Sequence, residues 1–115
     1  MIFESSVDKA SGIVTIICPK RIDVNVSDEL RDMIADIIDG GKFRIILDLK
    51  NTEYIDSSGL GAIVARISIL RSHEGDIRFA APGTGVLNLL ELTHLNKILK
   101  TFENLDQATA SFTSE

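Results

Sequence analysis

Residues 56–61 place an acid, two serines and two glycines around a single leucine, in the order Asp-Ser-Ser-Gly-Leu-Gly. An apolar segment precedes them and a helical pattern follows, so they occupy a predicted strand-to-helix turn. Hydroxyls in such a turn could act as a nucleophile, as part of a phosphate-binding loop, as a helix cap or as the target of another enzyme. The other residues of the chain discriminate among these chemistries.

Nucleophilic catalysis by either serine finds little support in the sequence. A nucleophile elbow requires Gly-x-Ser-x-Gly, and neither Ser57 nor Ser58 has a glycine two residues before it. His73 and His94 fall at a predicted helix end and a predicted helix-to-strand turn. We expect both histidines at surface or capping positions, and we predict that the protein is not an enzyme.

Nucleotide and metal binding also lack the residues that they need. A Walker A loop ends in Gly-Lys-Ser/Thr, whereas residues 56–64 carry no lysine and residues 83–88 hold only a fragment of a phosphate-binding pattern. Asp48 and Asp56 could share a divalent ion, but no third ligand follows at a suitable spacing. The single cysteine, Cys18, cannot form an internal disulfide or a metal cluster alone, so we expect a small buried residue. We predict no cofactor and no metal.

Composition limits the partners that the protein can have. Its 115 residues include 12 basic and 17 acidic side chains, for a net charge of -5 without any basic run. This argues against nucleic acid and against an anionic membrane surface. No apolar run approaches the roughly 20 residues that span a bilayer, and residues 1–12 lack a signal-peptide pattern, so we expect a cytoplasmic protein. The length and the 44% hydrophobic fraction predict one domain over residues 1–115.

The first half of the chain predicts a hairpin followed by a helix. Residues 2–7 and the β-branched run 13–18 flank a turn-forming segment, and Pro19 ends the second strand. Ser27 is a predicted N-cap, followed by acidic residues that complement the helix dipole. The buried stripe of this helix is predicted to comprise Leu30, Met33, Ile34, Ile37 and Ile38.

The second half alternates strands with helices. Residues 43–49 are almost continuously apolar, which indicates a strand with parallel neighbours that is covered on both faces. We predict a helix over 60–75, a strand over 76–82, a helix capped by Thr84, an edge strand over 96–102 and a last helix over 104–112. The helix over 60–75 has a predicted apolar stripe of Leu60, Ile63, Val64, Ile67 and Leu70 or Arg71, widened by Ala62, Ala65 and Ile69. The last helix has a predicted stripe of Leu105, Ala108 and Phe112. This order predicts an α/β fold, a four- to five-stranded mixed sheet with about four helices mainly on one face.

The Asp-Ser-Ser-Gly turn contains more polar side chains than one helix cap requires. Asp56 or Ser57 could accept a hydrogen bond from an N–H group of the first turn, which suffices as a cap. The Ser58 hydroxyl then has no evident internal partner, and Gly59 and Gly61 keep the turn thin. We therefore predict that Ser58 is open to modification or docking by another protein.

Residues 47–67 resemble the STAS domain of bacterial anti-sigma factor antagonists. The family pattern is an apolar strand that ends in Asp-Leu, a short loop, and then Asp-Ser-Ser-Gly-Leu-Gly at the start of a helix. All six residues of that motif are present at positions 56–61. Residues 86–108 are similar to the family's third helix, short strand and last helix. The resemblance implies a single STAS domain with a STAS-like fold.

The same resemblance implies a switch that is a substrate and not a catalyst. In the family, the unphosphorylated domain binds an anti-sigma factor that is also a serine kinase, and a sigma factor is released. The kinase uses ATP to phosphorylate the second serine of the motif, here Ser58, and a PP2C-type phosphatase removes the phosphate. The residues to which the resemblance assigns partner binding are Asp23, Asp56, Ser57, Ser58, Gly59, Leu60 and Gly61.

The chain departs from the family pattern before its first helix, and other functions stay open. Lys20 and Arg21 stand where a glycine is common, which affects the rim of the docking surface. Related domains also serve as scaffolds or beside transporters, so one alternative is a STAS domain in which Ser58 is never phosphorylated. Another is a nucleotide binder or small enzyme that places residues 56–61 and Asp23 around a phosphate.

Overall fold

The computed structural model describes residues 2–113, which form a five-stranded mixed sheet and a separate two-stranded sheet surrounded by helices. The strands are β1 (Glu4–Val7), β2 (Val14–Ile17), β3 (Arg21–Ile22), β4 (Arg44–Asp48), β5 (Tyr54–Ile55), β6 (Asp76–Ala80) and β7 (Thr101–Phe102). The helices are α1 (Ser27–Asp39), α2 (Ser57–Val64), α3 (Ile67–Ser72), α4 (Thr84–Leu92) and α5 (Leu105–Thr113), with a short 3-10 helix at Leu95–Lys97. The main sheet has the order β1-β2-β4-β6-β7, and β3 pairs with β5.

The main sheet confirms the predicted strand pairing. β1 and β2 form the antiparallel hairpin, and β4 lies between β2 and β6 with both neighbours parallel. A central position with helices on both faces explains why residues 43–49 are almost continuously apolar. The predicted edge strand exists but is restricted to β7, because Leu95–Lys97 adopt a 3-10 turn instead.

The two faces of the sheet carry unequal cores, as the alternation of side chains along β4 shows. Ile45 and Leu47 point into the larger core, and Ile46 points into the smaller one. The larger core is shared with α1 to α4 and includes Leu30, Ile34, Leu60, Ile63, Ile67, Leu70, Val86 and Leu90. In the smaller core, Ala108 and Phe112 of α5 pack against the opposite face. The prediction of helices mainly on one face is therefore confirmed.

The prediction of a single helix over residues 60–75 is wrong, since the structure has two helices there. α2 ends at Val64 and α3 begins at Ile67, and Arg66 between them has φ -110° and ψ 0°, outside the helical region. The change of direction keeps Ile67 buried while Ala65 and Ile69 become exposed. No proline or glycine marks the break in the sequence, so packing of α3 onto the core determines it.

Two predicted helix caps and one predicted core residue are also corrected. Ser27 is the first residue of α1 and is buried, while Val26 occupies the cap position without a side-chain hydrogen bond. The N–H groups of Val26 and Ser27 both donate to the backbone carbonyl of Asp23. Thr84 likewise lies inside α4, with Gly83 at the cap position and no capping hydrogen bond from a side chain. Leu105 at the start of α5 is 37% exposed, whereas Ala108 and Phe112 are buried as predicted.

The short parallel pair of β3 and β5 is not predicted by any sequence pattern. Arg21 lies opposite Tyr54, and Ile22 lies opposite Ile55. Two residues are too few to produce a recognisable alternation of apolar and polar side chains. Because both strands end at the same edge, the segments that follow Ile22 and Ile55 lie side by side, and this brings Asp23 to the start of α2.

The last helix contacts the sheet through Arg78, whose charge is balanced by a buried ion pair within β6. Arg78 Nε donates a hydrogen bond to Asp76 Oδ2 at 3.1 Å, and both side chains are at least 95% buried. The Arg78 guanidinium lies 4.0 Å from the centre of the Phe112 ring and donates a hydrogen bond to Ser111 Oγ of α5. A buried charge needs such partners, so this pair fixes where α5 lies.

Two further sequence predictions concern Cys18 and membrane-spanning segments. Cys18 is buried as predicted, and burial raises the pKa of its thiol. None of the helices within residues 2–113 has the length and apolar character needed to cross a membrane.

Glycines 59 and 61 of α2 provide a matched test of this packing. A Cβ atom on Gly59 would lie 2.8 Å from the backbone oxygen of Ile22, whereas a Cβ on Gly61 would contact no atom within 4 Å. We expect Gly59→Ala to lower the free energy of unfolding by about 1–3 kcal/mol, because a backbone atom cannot move aside easily. Gly61→Ala should raise the free energy of unfolding by about 0.5–1 kcal/mol, because alanine has the higher helix propensity.

Urea denaturation of both variants and the wild-type protein measures these changes. Equal stability of the Gly59→Ala and Gly61→Ala variants would contradict the close contact between α2 and β3.

Candidate functional site

Asp56 caps the second helix and joins it to the two-stranded sheet. Its backbone is extended (φ -103°, ψ -175°), and its Oδ1 atom accepts a hydrogen bond from the Gly59 N–H group at 3.0 Å. Its own N–H group donates to the Ile22 carbonyl at 3.1 Å. Of the two caps considered from the sequence, Asp56 and Ser57, the structure selects Asp56.

The Ser58 hydroxyl has an internal partner, contrary to the expectation from sequence. Ser58 Oγ donates a hydrogen bond to Asp56 Oδ1 at 2.6 Å, so one carboxylate oxygen accepts from both the cap and the serine. Ser58 is half-buried, and Ser57 is exposed. Neither serine is fully buried, so at least part of each residue faces solvent.

Hydrogen bonds hold the Asp56 carboxyl group in its ionised form. The hydrogen bond from Ser58 lowers the pKa of Asp56 below its ordinary value, and the bond from the Gly59 N–H group lowers it further. The backbone N–H groups of Ser58 and Val24 contribute in the same direction, whereas burial opposes them. The carboxylate is thus negatively charged at neutral pH and lies at the positive end of α2.

Asp23, the acid that the resemblance assigns to the site, lies beside Asp56 through the register of β3 and β5. Its Oδ1 atom accepts a hydrogen bond from the Asn25 N–H group, and its Oδ2 atom lies 3.6 Å from Arg21 Nε. The Asp23 side chain is 21% exposed, so part of the carboxylate faces solvent. Two acids therefore flank the start of α2.

The basic residues that depart from the family pattern are paired with residues of the β5 segment. The Arg21 guanidinium lies 4.3 Å from the centre of the Tyr54 ring. Lys20 Nζ lies 3.7 Å from a carboxylate oxygen of Glu53, with both side chains largely exposed. Lys20 and Arg21 therefore form a charged rim beside β5.

The three remaining motif residues differ in what they present to a partner. Gly59 and Leu60 are buried, so they support the turn from below. Gly61 is exposed and has open space where a Cβ atom would be. The accessible part of the motif is therefore Asp56, Ser57, Ser58 and Gly61.

An apolar groove next to the motif was not apparent from the sequence. It has a volume of about 260 Å³ and lies between β5 and α4, with Tyr54, Leu89 and Leu92 in its lining. Leu92 is 80% exposed and Tyr54 is 41% exposed. The only sign of this groove in the sequence is Leu92, a leucine at the end of an otherwise amphipathic helix. This sign is weak because single exposed apolar residues are common.

The histidines do not belong to the site. His73 is exposed at the end of α3 and stacks on Phe43 at a ring distance of 4.2 Å, near the edge where β4 begins and not where it ends. His94 is exposed after α4 with φ 61°. Within the part of the chain that the structure describes, no three His, Cys, Asp or Glu side chains are grouped to hold a metal ion.

Known proteins resemble this chain in sequence and in fold. The model of the STAS domain family matches residues 4–108. The anti-sigma F factor antagonist of Paenibacillus polymyxa is 29% identical over 94 residues, which cover 81% of this chain and 80% of that protein.

Two solved structures of SpoIIAA share the fold at 19% identity. The anti-sigma factor antagonist SpoIIAA in its unphosphorylated form has a TM-score of 0.82 and covers 98% of this chain and 97% of its own. The Bacillus cell fate determinant SpoIIAA in its phosphorylated form has a TM-score of 0.72 and covers 95% of this chain and 97% of its own. With the family match spanning most of its length and the six-residue motif at the start of α2, this chain belongs to the STAS domain family.

Proposed function

We propose that this protein is an anti-sigma factor antagonist that is switched off by phosphorylation of Ser58. In its unphosphorylated form it binds an anti-sigma factor that is also a serine kinase, and the sigma factor is released. The observation that carries the proposal is Ser58, a partly exposed serine in the first turn of α2, in a chain similar to a named anti-sigma F factor antagonist.

The proposed docking surface surrounds this hydroxyl. Asp23, Asp56, Ser57, Ser58 and Gly61 present polar groups or backbone to the partner, and the buried pair Gly59 and Leu60 holds the turn in place. The exposed Gly61 lets a kinase approach the backbone of α2 closely. The apolar groove lined by Leu92 extends the surface on one side of the motif.

A phosphate on Ser58 would have opposing effects within the protein itself. It adds about -1.5 to -2 charges at the N-terminus of α2, where the helix dipole stabilises negative charge by about 0.3–1 kcal/mol. The hydrogen bond to Asp56 is lost, and repulsion from that carboxylate acts against the phosphate. Because these terms are small and opposite, the two cores on either side of the main sheet stay packed.

The larger effect of the phosphate falls on the partner. A dianion enclosed in an interface must lose its hydration, and an unmatched charge there costs several kcal/mol. A cost of about 3 kcal/mol corresponds to a roughly hundredfold weaker Kd. Phosphorylation would then release the kinase without a conformational change, and a PP2C-type phosphatase would restore binding.

The same proposal assigns the protein its cellular context. Its partners are a serine kinase and a phosphatase, and it is itself a substrate that needs no cofactor. The kinase requires ATP, so the switch operates in the cytoplasm. The alternative is a scaffold or transporter accessory in which Ser58 is never modified. Protein isolated from its own cells would then carry no phosphate on Ser58, and mass spectrometry provides the measurement.

Substitution of Ser58 separates binding from modification. Ser58→Ala should bind the kinase with a Kd within about threefold of wild type and should accept no phosphate, whereas Ser58→Asp should bind at least about tenfold more weakly. Ser57→Ala should still be phosphorylated, and Ser68→Asp, which adds the same charge on an exposed position of α3, should bind normally. Isothermal titration and intact-mass measurements provide both readouts. Equal affinity of wild-type, Ser58→Ala and Ser58→Asp proteins would refute the switch.

Phosphorylation should leave the fold unchanged. We expect amide chemical shifts to change for residues 22–25 and 54–63, which surround the phosphate, and to stay constant in β4, β6 and α5. Two-dimensional NMR of both forms provides the measurement. Large shift changes in α5, which packs on the opposite face of the sheet, would instead indicate a conformational mechanism.

A further inference from the structure

We propose that this protein associates head to tail with further copies of itself, through an acidic groove at one edge of its main sheet and a basic corner at the opposite edge. The acidic groove lies between β1 and α1. The basic corner is the segment of residues 95–100, which leads into β7. Neither surface contains a residue of the six-residue motif, so this association goes beyond the proposed function.

The acidic groove has an apolar floor and an acidic rim. It has a volume of about 620 Å³ and is lined by Ser5, Glu29, Asp32, Met33, Asp36 and Ile37. Met33 and Ile37 are half-buried and pack against the larger core, whereas Asp32 and Asp36 are exposed. Among the residues that the structure describes, no ion pair neutralises Asp32 or Asp36. The groove therefore suits an apolar side chain that is flanked by basic ones.

The basic corner presents side chains in that order. Lys97 and Lys100 are exposed, and Ile98 between them is 42% exposed. The Arg71 guanidinium donates a hydrogen bond to the Ile98 carbonyl, and Arg71 Nε donates another to Asp76 Oδ1 at 3.0 Å. These hydrogen bonds hold the corner against α3 and β6, so little conformational freedom remains to be lost when it binds.

The positions of the two surfaces require a contact between different copies. Ser5 belongs to β1 and the corner precedes β7, and these are the two end strands of the main sheet. One copy therefore cannot place its own corner in its own groove. Contact between two grooves would bring together three acids from each copy, and contact between two corners would oppose lysines, so both symmetric arrangements are repulsive.

Only the contact of groove with corner pairs opposite charges. It would also cover Ile98 with the apolar floor formed by Met33 and Ile37. Each such contact leaves one groove and one corner free at the ends of the assembly, so further copies can be added.

The association should be weak and sensitive to salt. The net charge of -5 opposes it, and exposed ion pairs contribute little individually. We expect a Kd of roughly 0.1–1 mM in about 20 mM NaCl. In about 0.5 M NaCl the screening length falls to about 4 Å, and association should be lost. Sedimentation equilibrium measures the weight-average mass, which should rise with concentration above the 12.6 kDa of one chain in low salt only.

A charge swap tests the contact itself. The groove variant carries Asp32→Lys and Asp36→Lys, and the corner variant carries Lys97→Glu and Lys100→Glu. Each variant alone should associate at least about tenfold more weakly than wild type, because like charges then face each other. An equimolar mixture should recover association, since the reversed groove matches the reversed corner. Lys50→Glu, an exposed charge change after the central strand β4, should behave as wild type.

Three results would overturn the inference. One is a wild-type mass that stays at one chain up to about 1 mM in low salt, which would leave the groove to a basic segment of another protein. Another is association that persists in both variants. The third is a mixture that associates no better than its components. Circular dichroism checks the fold of each variant, and recovery in the mixture requires that both variants are folded.

Discussion

The candidate site depends on one carboxylate that connects three elements of the fold. Asp56 follows β5, its N–H group is bonded to the carbonyl of Ile22 in β3, and its side chain caps α2. The glycine at position 59 is required by the same arrangement, because a side chain there would collide with the backbone of Ile22. The motif residues thus satisfy the needs of a tight strand-to-helix junction before they serve any partner. The positions of Ser57 and Ser58 follow from the geometry of that junction.

This arrangement bears on the proposed switch, because it separates a charge on Ser58 from most of the packing that keeps the protein folded. Asp56 and Ser58 are not part of the two cores that bury most of the apolar side chains on either face of the main sheet, although Ile22, Ile55 and Leu60 beside them belong to the larger core. The buried pair of Asp76 and Arg78, which holds α5, belongs to the strand β6 and not to the junction. The proposed phosphate on Ser58 would therefore meet the helix dipole and the Asp56 carboxylate, and neither Asp56 nor Ser58 is a member of the two cores.

The surface around the junction has two features besides the six-residue motif. Lys20 and Arg21 form a rim whose charges are paired with Glu53 and with the ring of Tyr54. The groove lined by Leu92 adds apolar area next to an otherwise polar motif. Both features border the docking surface proposed around Ser58.

Sequence by itself determined the order and type of most elements, the parallel central strand and the unequal covering of the sheet. These features follow from apolar periodicity, which indicates locally which face of a helix or strand is buried. The unusual composition of residues 56–61 was also evident in the sequence, and the resemblance to the STAS family pointed to the acid at position 23. Only the tertiary structure decided that β3 pairs with β5, that the helix after the motif breaks at Arg66, and that the Ser58 hydroxyl is bonded to Asp56. The strand pairing and the helix break depend on contacts between residues far apart in the chain. The hydrogen bond of the Ser58 hydroxyl depends on which side-chain rotamer is adopted. None of these three features leaves a periodic pattern in the sequence.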